Sequence, residues 1–353
     1  MYTKTRYSVK DMIRWTRLDL FTFFLIAFIP TVLYDTCGLT WLYLPWLPIA
    51  MIGTAVAFII GFQNKVTYDR IWEARKIWGG IVNVSRTWGA LVKDTVTGEH
   101  ASQPVDDVRL KQEVSTLIHR HIAWMAALRH SMRSPKSWEV FLSHKTNREW
   151  AKMMHIPERE HTLEEDLKPL LSEEEFTYVL SKTNKATALL AMQSKHLRKL
   201  KEEKLIWEFA FLDLEGLIKD LYDLQGKSER IKNFPYPRQY ATLNSFFVWI
   251  LVFFLPFGVI PEFAKVGEQI ALNFPRIGDY FVWAAVPFSM IVSWVFHTME
   301  RIGKTGENPF EGSANDVPIS TIARGIEIDL REMIDEDPEQ IPKPYPLVHH
   351  TQM

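Results

Sequence analysis

The stretch "FIIGFQNKVTYDRIWEARKIWGG", residues 58–80, joins an apolar segment to a dense band of charge without any residue that breaks a helix. Its first residues suit the middle of a bilayer. A few positions later the stretch carries charged side chains, beginning with Lys65 and Asp69, and several more follow at once. The stretch therefore predicts one uninterrupted helix that runs from a membrane into water.

Further apolar segments indicate a membrane protein with several spans. No Asp, Glu, Lys or Arg occurs in residues 36–64 or 239–261, and two weaker apolar segments cover 20–34 and 280–299. The overall composition, with 47% hydrophobic residues, does not show this clustering. A hydrocarbon core of ~30 Å needs about 20 helical residues. We therefore expect two pairs of membrane-spanning helices.

The expected fold is an all-α integral membrane protein with four transmembrane helices per chain and a large helical cytosolic region. Basic residues concentrate in the amino-terminal segment and in the long middle of the chain, which places both termini in the cytoplasm. The expected segments are a cytosolic N-terminal segment (1–17), a first transmembrane hairpin (18–63), a helical cytosolic domain (64–241), a second transmembrane hairpin (242–299), and a cytosolic C-terminal segment and tail (300–353).

The cytosolic region reads as helical. Apolar residues recur at helical spacing in 110–129, 173–201 and 203–224. Near the C-terminus, Ser320 is the expected cap of a further helix. The proline-bearing tail, 335–353, is expected either to lie extended along a surface or to be disordered.

Other motifs give no catalytic or metal site. His119, His121 and His130 are close in sequence, but residues two apart on a helix face different sides, so packing or surface roles are expected. The basic run 195–204 fits a charged amphipathic helix better than a nucleic-acid site, because the net charge of the chain is -1. We expect no metal, no cofactor, no nucleic-acid partner and no enzymatic activity.

Two motifs resemble those of the bestrophin family. "GFQNKVTYDRIWEARKIWGGIVNVSR", residues 61–86, resembles the pore helix of its bacterial members. "ENPFEGSANDVPISTIARGIEIDL", residues 307–330, resembles the Asn-Pro-Phe segment and the helix after it. The order of span pairs and helical region is also similar. Bestrophins are pentameric ion channels, so the resemblance implies a homopentamer that is embedded in lipid, in the inner membrane of a bacterium, and passes small inorganic ions.

The resemblance also implies roles for particular residues. A pore helix over 46–92 would place Thr54, Phe58 and Phe62 at a narrow neck, where apolar rings can act as a gate. Leu212 is the expected second constriction, on the cytosolic side. Residues where the helix enters the cytosol are expected to pack helices and subunits together, namely Asp69, Arg70, Trp72, Glu73, Arg75 and Trp78.

One departure from the animal bestrophins concerns calcium. Their calcium clasp follows Asn-Pro-Phe with a run of acids, whereas after Asn308 this sequence offers only Glu311 and Asp316 as charged oxygen donors. Calcium takes six to eight oxygens. We therefore expect a degenerate clasp and currents that are insensitive to calcium.

The sequence alone is compatible with more than one permeant ion. Chloride and other anions are the family default, and the sequence also allows a channel that selects sodium or potassium. A membrane scaffold whose neck never conducts is a third reading. The gating stimulus and any partner proteins are not encoded in a readable motif.

Overall fold

The computed structural model describes residues 1–101 and 104–353. Within these ranges the regular structure is helical apart from two isolated β-bridges and two 3-10 turns, Phe141–Ser143 and Phe281–Ala284. The helices are α1 (Val9–Asp35), α2 (Trp46–Thr95), α3 (Asp107–Arg133), α4 (Lys145–Ala151), α5 (Pro157–Glu160), α6 (Leu163–Leu167), α7 (Glu173–Leu180), α8 (Lys185–Glu202), α9 (Glu208–Asn233), α10 (Arg238–Ala271), α11 (Pro275–Tyr280), α12 (Ala285–Thr305) and α13 (Ile319–Met333).

Four segments are long and apolar enough to cross a membrane: α1, α2, α10, and α11 together with α12. This confirms the prediction of an all-α membrane protein with four spans. In the membrane half, α1 packs on α10 and α12, and α2 packs on the same two helices. Their shared core contains Phe23 of α1, Val56 and Ile60 of α2, and Val248 and Leu251 of α10.

α2 and α12 approach each other closely where they leave the membrane. A Cβ atom on Gly306 would lie 2.5 Å from Cγ2 of Thr67, and one on Gly303 would lie 2.7 Å from Oδ1 of Asn64. The Thr67 hydroxyl donates a hydrogen bond to the carbonyl oxygen of Gly303 at 3.0 Å. This hydrogen bond holds the Thr67 side chain in place, so glycine at 306 allows α12 to approach α2 closely.

The half of the fold outside the four spans has a core of its own, built on the second half of α2. Trp78, Ile81 and Trp88 of α2 are completely buried, as are Trp124 of α3 and Leu330 of α13. α9 and α13 pack directly on α2, and α8 packs on α3 and α9. One helix therefore connects the membrane core to the core outside the spans.

Two of the predicted cytosolic helices are wrong in their bounds. The helix expected over 173–201 is interrupted between α7 and α8, because Asn184 caps α8 by accepting a hydrogen bond from the Thr187 amide at 3.0 Å. The helix expected over 203–224 instead begins at residue 208. Lys204, with φ of 60°, turns the chain before α9 begins.

The C-terminal region differs from expectation at one position. Ser320 is not a helix cap, since α13 begins after Pro318 and the Ser320 hydroxyl donates to the Glu158 carboxylate at 2.8 Å. The tail is extended along the surface, as one of the two alternatives proposed. The hydroxyl of Thr321 donates to the carbonyl oxygen of Met353 at 2.7 Å, which holds the tail against α13.

Candidate functional site

α2 carries an exposed stripe along its 50 residues. Successive residues turn by ~100° about a helix axis, so Thr54, Lys65 and Trp72 lie within about 20° of one line. All three are exposed. Ile60 and Ile81, on the opposite side, are buried. The helix therefore turns one side to the core of its own chain and leaves the other side uncovered.

The predicted neck residues all lie on the uncovered side. Phe58 is 68% exposed and Phe62 is 58% exposed. Their rings form an edge-to-face pair with centroids 4.6 Å apart. The hydroxyl of Thr54 donates to the carbonyl oxygen of Ala50 at 2.9 Å, so its polar group is already satisfied within the helix. This part of the stripe is apolar, and neither Phe belongs to the core of its own chain.

Charged side chains replace the apolar ones farther along the stripe. Lys65 pairs with Asp69 one turn away, and Glu73 pairs with Arg230 of α9 at 2.5 Å. These pairs are exposed, so each adds little to stability. Arg75 is also exposed, and no acidic group within residues 1–101 and 104–353 pairs with it. Of the predicted charged residues, Asp69 and Glu73 are therefore paired within the chain, and Arg75 is not.

Arg70 ties α2 to two other parts of the fold. Its Nε donates to the carbonyl oxygen of Glu307 at 2.9 Å, just after α12. Its terminal nitrogen donates to the carbonyl oxygens of Ile231 and Phe234, at 3.1 and 2.9 Å, where α9 ends. A planar guanidinium group can serve several acceptors in fixed directions. Arg70 therefore fixes the position of α2 relative to the segment after α12 and the end of α9.

A buried polar network beside Arg70 escaped the sequence-based search. Gln63 donates to the Glu307 carboxylate at 3.2 Å and accepts from the Asn244 amide at 2.8 Å. Arg238 pairs with the other oxygen of the same carboxylate at 2.7 Å. Burial raises the pKa of Glu307, and Arg238 opposes that rise. The available signal was the presence of two amides, Gln63 and Asn244, inside otherwise apolar segments.

The two predicted tryptophans occupy different environments. Trp72 is 52% exposed and stacks on Tyr68, with ring centroids 6.4 Å apart. Trp78 is completely buried and contacts Phe310 at a centroid distance of 6.5 Å. The packing of Trp78 therefore lies inside one chain. Leu212, the predicted second constriction, is 55% exposed on α9.

The segment that resembles a degenerate calcium clasp is closed by internal hydrogen bonds. The Glu311 carboxylate accepts from the amides of Val140 and Phe141, at 3.2 and 2.8 Å, and from the side chain of Asn308. Burial, reinforced by the nearby charge of Asp316, raises the pKa of Glu311 to about 7. The oxygens of Glu311 are therefore already hydrogen-bonded within the chain.

Asp316 is engaged in the same way. Its carboxylate accepts from the amides of Gly312 and Ser313, at 2.6 and 3.0 Å, and the guanidinium group of Arg133 lies 3.8 Å away. Arg133 also donates to the carbonyl oxygen of Phe310 at 3.0 Å. Calcium needs several oxygens directed at one point. The oxygens here face amide and guanidinium donors, so the residues do not fit a calcium site.

The three histidines do not converge. His121 is completely buried and is hydrogen-bonded to Ser85 at 2.9 Å, and burial lowers its pKa to about 3. His119 and His130 each face a different carboxylate. In the part of the chain that the structure describes, no three His, Cys, Asp or Glu side chains are grouped so as to hold a metal ion.

The whole chain can be compared with known proteins at this point. The sequence profile of the family described as "Bacterial/Fungal Bestrophin protein" matches residues 10–332. The chain belongs to the bestrophin family. This confirms the family that the two motifs indicated, and the fold of this bestrophin agrees with it.

Relatives of this bestrophin include curated proteins named as channels, not as enzymes. It is 27% identical over 290 residues to a voltage-dependent anion channel-forming protein of Ralstonia nicotianae, covering 82% of this chain and 77% of that protein. It is 25% identical over 289 residues to an Escherichia coli K12 protein of the same description, with the same coverage. The crystal structure of a bacterial bestrophin homologue from Klebsiella pneumoniae superposes with a TM-score of 0.71 at 20% identity, covering 90% of this chain and 98% of that one.

Proposed function

We propose that this bestrophin is a homopentameric channel through which small anions, chloride among them, diffuse passively across the inner membrane of a bacterium. The observation that carries the proposal is the uncovered stripe of α2, which is apolar in the membrane half and charged beyond it. Five copies of α2 around one axis would turn these stripes toward a common pore. The anion channel-forming relatives support the choice of ion.

The neck would be formed by the exposed phenylalanines. Rings of Phe58 and Phe62 would make a narrow apolar constriction, which a hydrated ion crosses only against a dewetting barrier. The edges of aromatic rings carry partial positive charge, which favours anions. Thr54 would line the wider approach to the neck. Leu212 is proposed as a second constriction on the cytosolic side.

The proposed orientation places both termini in the cytoplasm. Trp15 donates to Asn147 at 2.8 Å, and Arg17 pairs with Glu149 at 2.6 Å, so the start of α1 lies against the helical region that follows α3. The basic residues of both parts belong on the cytoplasmic side. The charged residues from Asp69 onward would then surround a cytosolic vestibule.

Reconstitution into liposomes tests the proposal. We expect chloride currents from the purified protein, and a reversal potential in asymmetric salt that follows the chloride gradient. We also expect no change when calcium or a chelator is added, because the two acids of the 308–316 segment are already hydrogen-bonded. A reversal potential that follows sodium or potassium would show a cation channel. Absence of any current would show a membrane scaffold.

A further inference from the structure

We propose that Lys76 concentrates anions in the vestibule beyond the neck and thereby sets the conductance and the charge preference of the channel. The inference rests on the proposed pore along the stripe of α2. Lys76 lies within the first family motif, residues 61–86, but the resemblance implies no role for it in permeation. Its support comes from position, exposure and the pairing of the neighbouring charges.

The helix places Lys76 on the same side as the neck. Phe58 and Lys76 are separated by about five whole turns, so they lie on one line of α2, ~27 Å apart along its axis. Lys76 is exposed. A Cβ atom on Gly79, on the same side one turn farther, would meet no atom within 4 Å. The uncovered side of the helix therefore continues past Lys76.

The other lysines and Arg86 on or beside this stripe are neutralised by acidic partners. Lys65 pairs with Asp69. Farther along, two more cations pair with acids that lie in α13 or just after it, Arg86 with Asp329 at 2.7 Å and Lys93 with Asp335 at 3.0 Å.

Lys76 differs from these three cations. No acidic side chain in residues 1–101 and 104–353 pairs with it. Arg75, the residue before it, is also exposed and unpaired, and it lies ~100° around the helix, at the same angle as Lys93.

The unpaired acid on the same line is too distant to cancel Lys76. Asp94 lies about five turns farther along, or ~27 Å. At physiological ionic strength charges are screened over ~8 Å, so each acts locally. Five copies of Lys76 around one axis would form a ring of positive charge in the vestibule, ~21 Å along the axis from Phe62. Such a ring raises the local concentration of anions and lowers that of cations.

Substitution of Lys76 tests the inference through its dependence on salt. We expect Lys76→Gln to lower the chloride conductance several-fold in dilute salt, and to change it little at about 1 M salt, where screening extends only ~3 Å. The matched control is Lys168→Gln, which removes an exposed, unpaired lysine on the α6 side of the cytosolic region. Its conductance should equal that of the wild type at every salt concentration.

Restoring the charge chemically makes the test specific. In a Cys37→Ser background, Lys76→Cys should respond to a cationic methanethiosulfonate reagent by recovering conductance, and to an anionic reagent by losing more of it. If the wild type conducts chloride and Lys76→Gln conducts equally at all salt concentrations, this inference is wrong while the channel remains. If the wild type passes no ions, the channel proposal itself fails, and this inference fails with it.

Discussion

Phe58 and Phe62, unlike Phe23 of the membrane half, have no place in the core of their own chain. Phe23 is 1% exposed, and its truncation to Ala should cost about 3–5 kcal/mol through the cavity left behind. Truncation of Phe58 or Phe62 opens no such cavity. We expect Phe58→Ala and Phe62→Ala to fold normally and to conduct more than the wild type, because the apolar constriction widens.

Liposome currents measured beside thermal melting curves check this prediction. Phe288→Ala is the matched control, since Phe288 is exposed in the membrane half but lies on α12. It should leave the current unchanged, and Thr54→Ala should have less effect than either Phe substitution. Intact Phe58→Ala and Phe62→Ala assemblies with wild-type conductance and selectivity would remove both residues from the pore.

Glu311 makes stability depend on pH. Its pKa is raised from 4.5 to about 7 by burial. Between these values the folded chain holds a proton that the unfolded chain has released, so stability falls as the pH rises through this window. Glu311→Gln should remove that part of the slope when the melting temperature is followed from pH 4.5 to 7. Glu332→Gln, at an exposed position, should retain the slope. An identical slope in wild type and Glu311→Gln would contradict the assignment.

Among the elements, the contact between α2 and α12 depends on two glycines. Gly306→Ala would place a methyl group 2.5 Å from Cγ2 of Thr67, so the helices must separate. We expect a loss of about 1–3 kcal/mol, the usual cost of overpacking. Gly325→Ala, on an open side of α13, should instead gain up to ~1 kcal/mol from helix propensity. Melting temperatures that shift in the same direction for both variants would show that close approach is not the cause.

One uninterrupted helix was predicted over residues 58–80 because that stretch contains no proline. The resemblance to bestrophins extended the predicted helix to 46–92, and the observed helix ends at Thr95. The break at Asn184 was missed because a single capping side chain overrides an apolar pattern that continues on both sides. A long periodic stretch therefore predicts that a helix exists more reliably than where it ends.

The site was less predictable, since it combines residues far apart in the sequence. Gln63 and Glu307 meet only because α2 and α12 pack together. Arg70, which was expected to pack helices and subunits together, donates to three backbone carbonyl oxygens of its own chain, and no residue pattern encodes those contacts. The neck positions Thr54, Phe58 and Phe62 were named from the resemblance to bestrophins, because both sides of this part of α2 are apolar and helical periodicity alone does not choose between lipid, protein and pore.

At the scale of the whole molecule, the uncovered side of α2 is the surface that the proposed oligomer would place around its axis. In a single chain, Phe58 and Phe62 would face lipid, and Trp72 and Lys76 of the same helix would face water. Their alignment along one side of α2 would then have no role. Closed rotational symmetry is the common way in which identical chains cover the same surface on every copy. The fold itself does not state the number of copies. The family resemblance indicates five.

We therefore expect the detergent-solubilised protein to have a protein mass near five chains, measured by light scattering with the detergent contribution subtracted. Limited lysine cross-linking should give a ladder that ends at five, because a ring has no free end to extend. Diluting the sample should not shift the mass if the assembly is permanent. A stable monomer or dimer would leave the stripe exposed and contradict the pore. A closed ring of another size would keep the pore. Its Phe58 constriction would be wider or narrower than in a pentamer, and the conductance would differ from that of a pentamer accordingly.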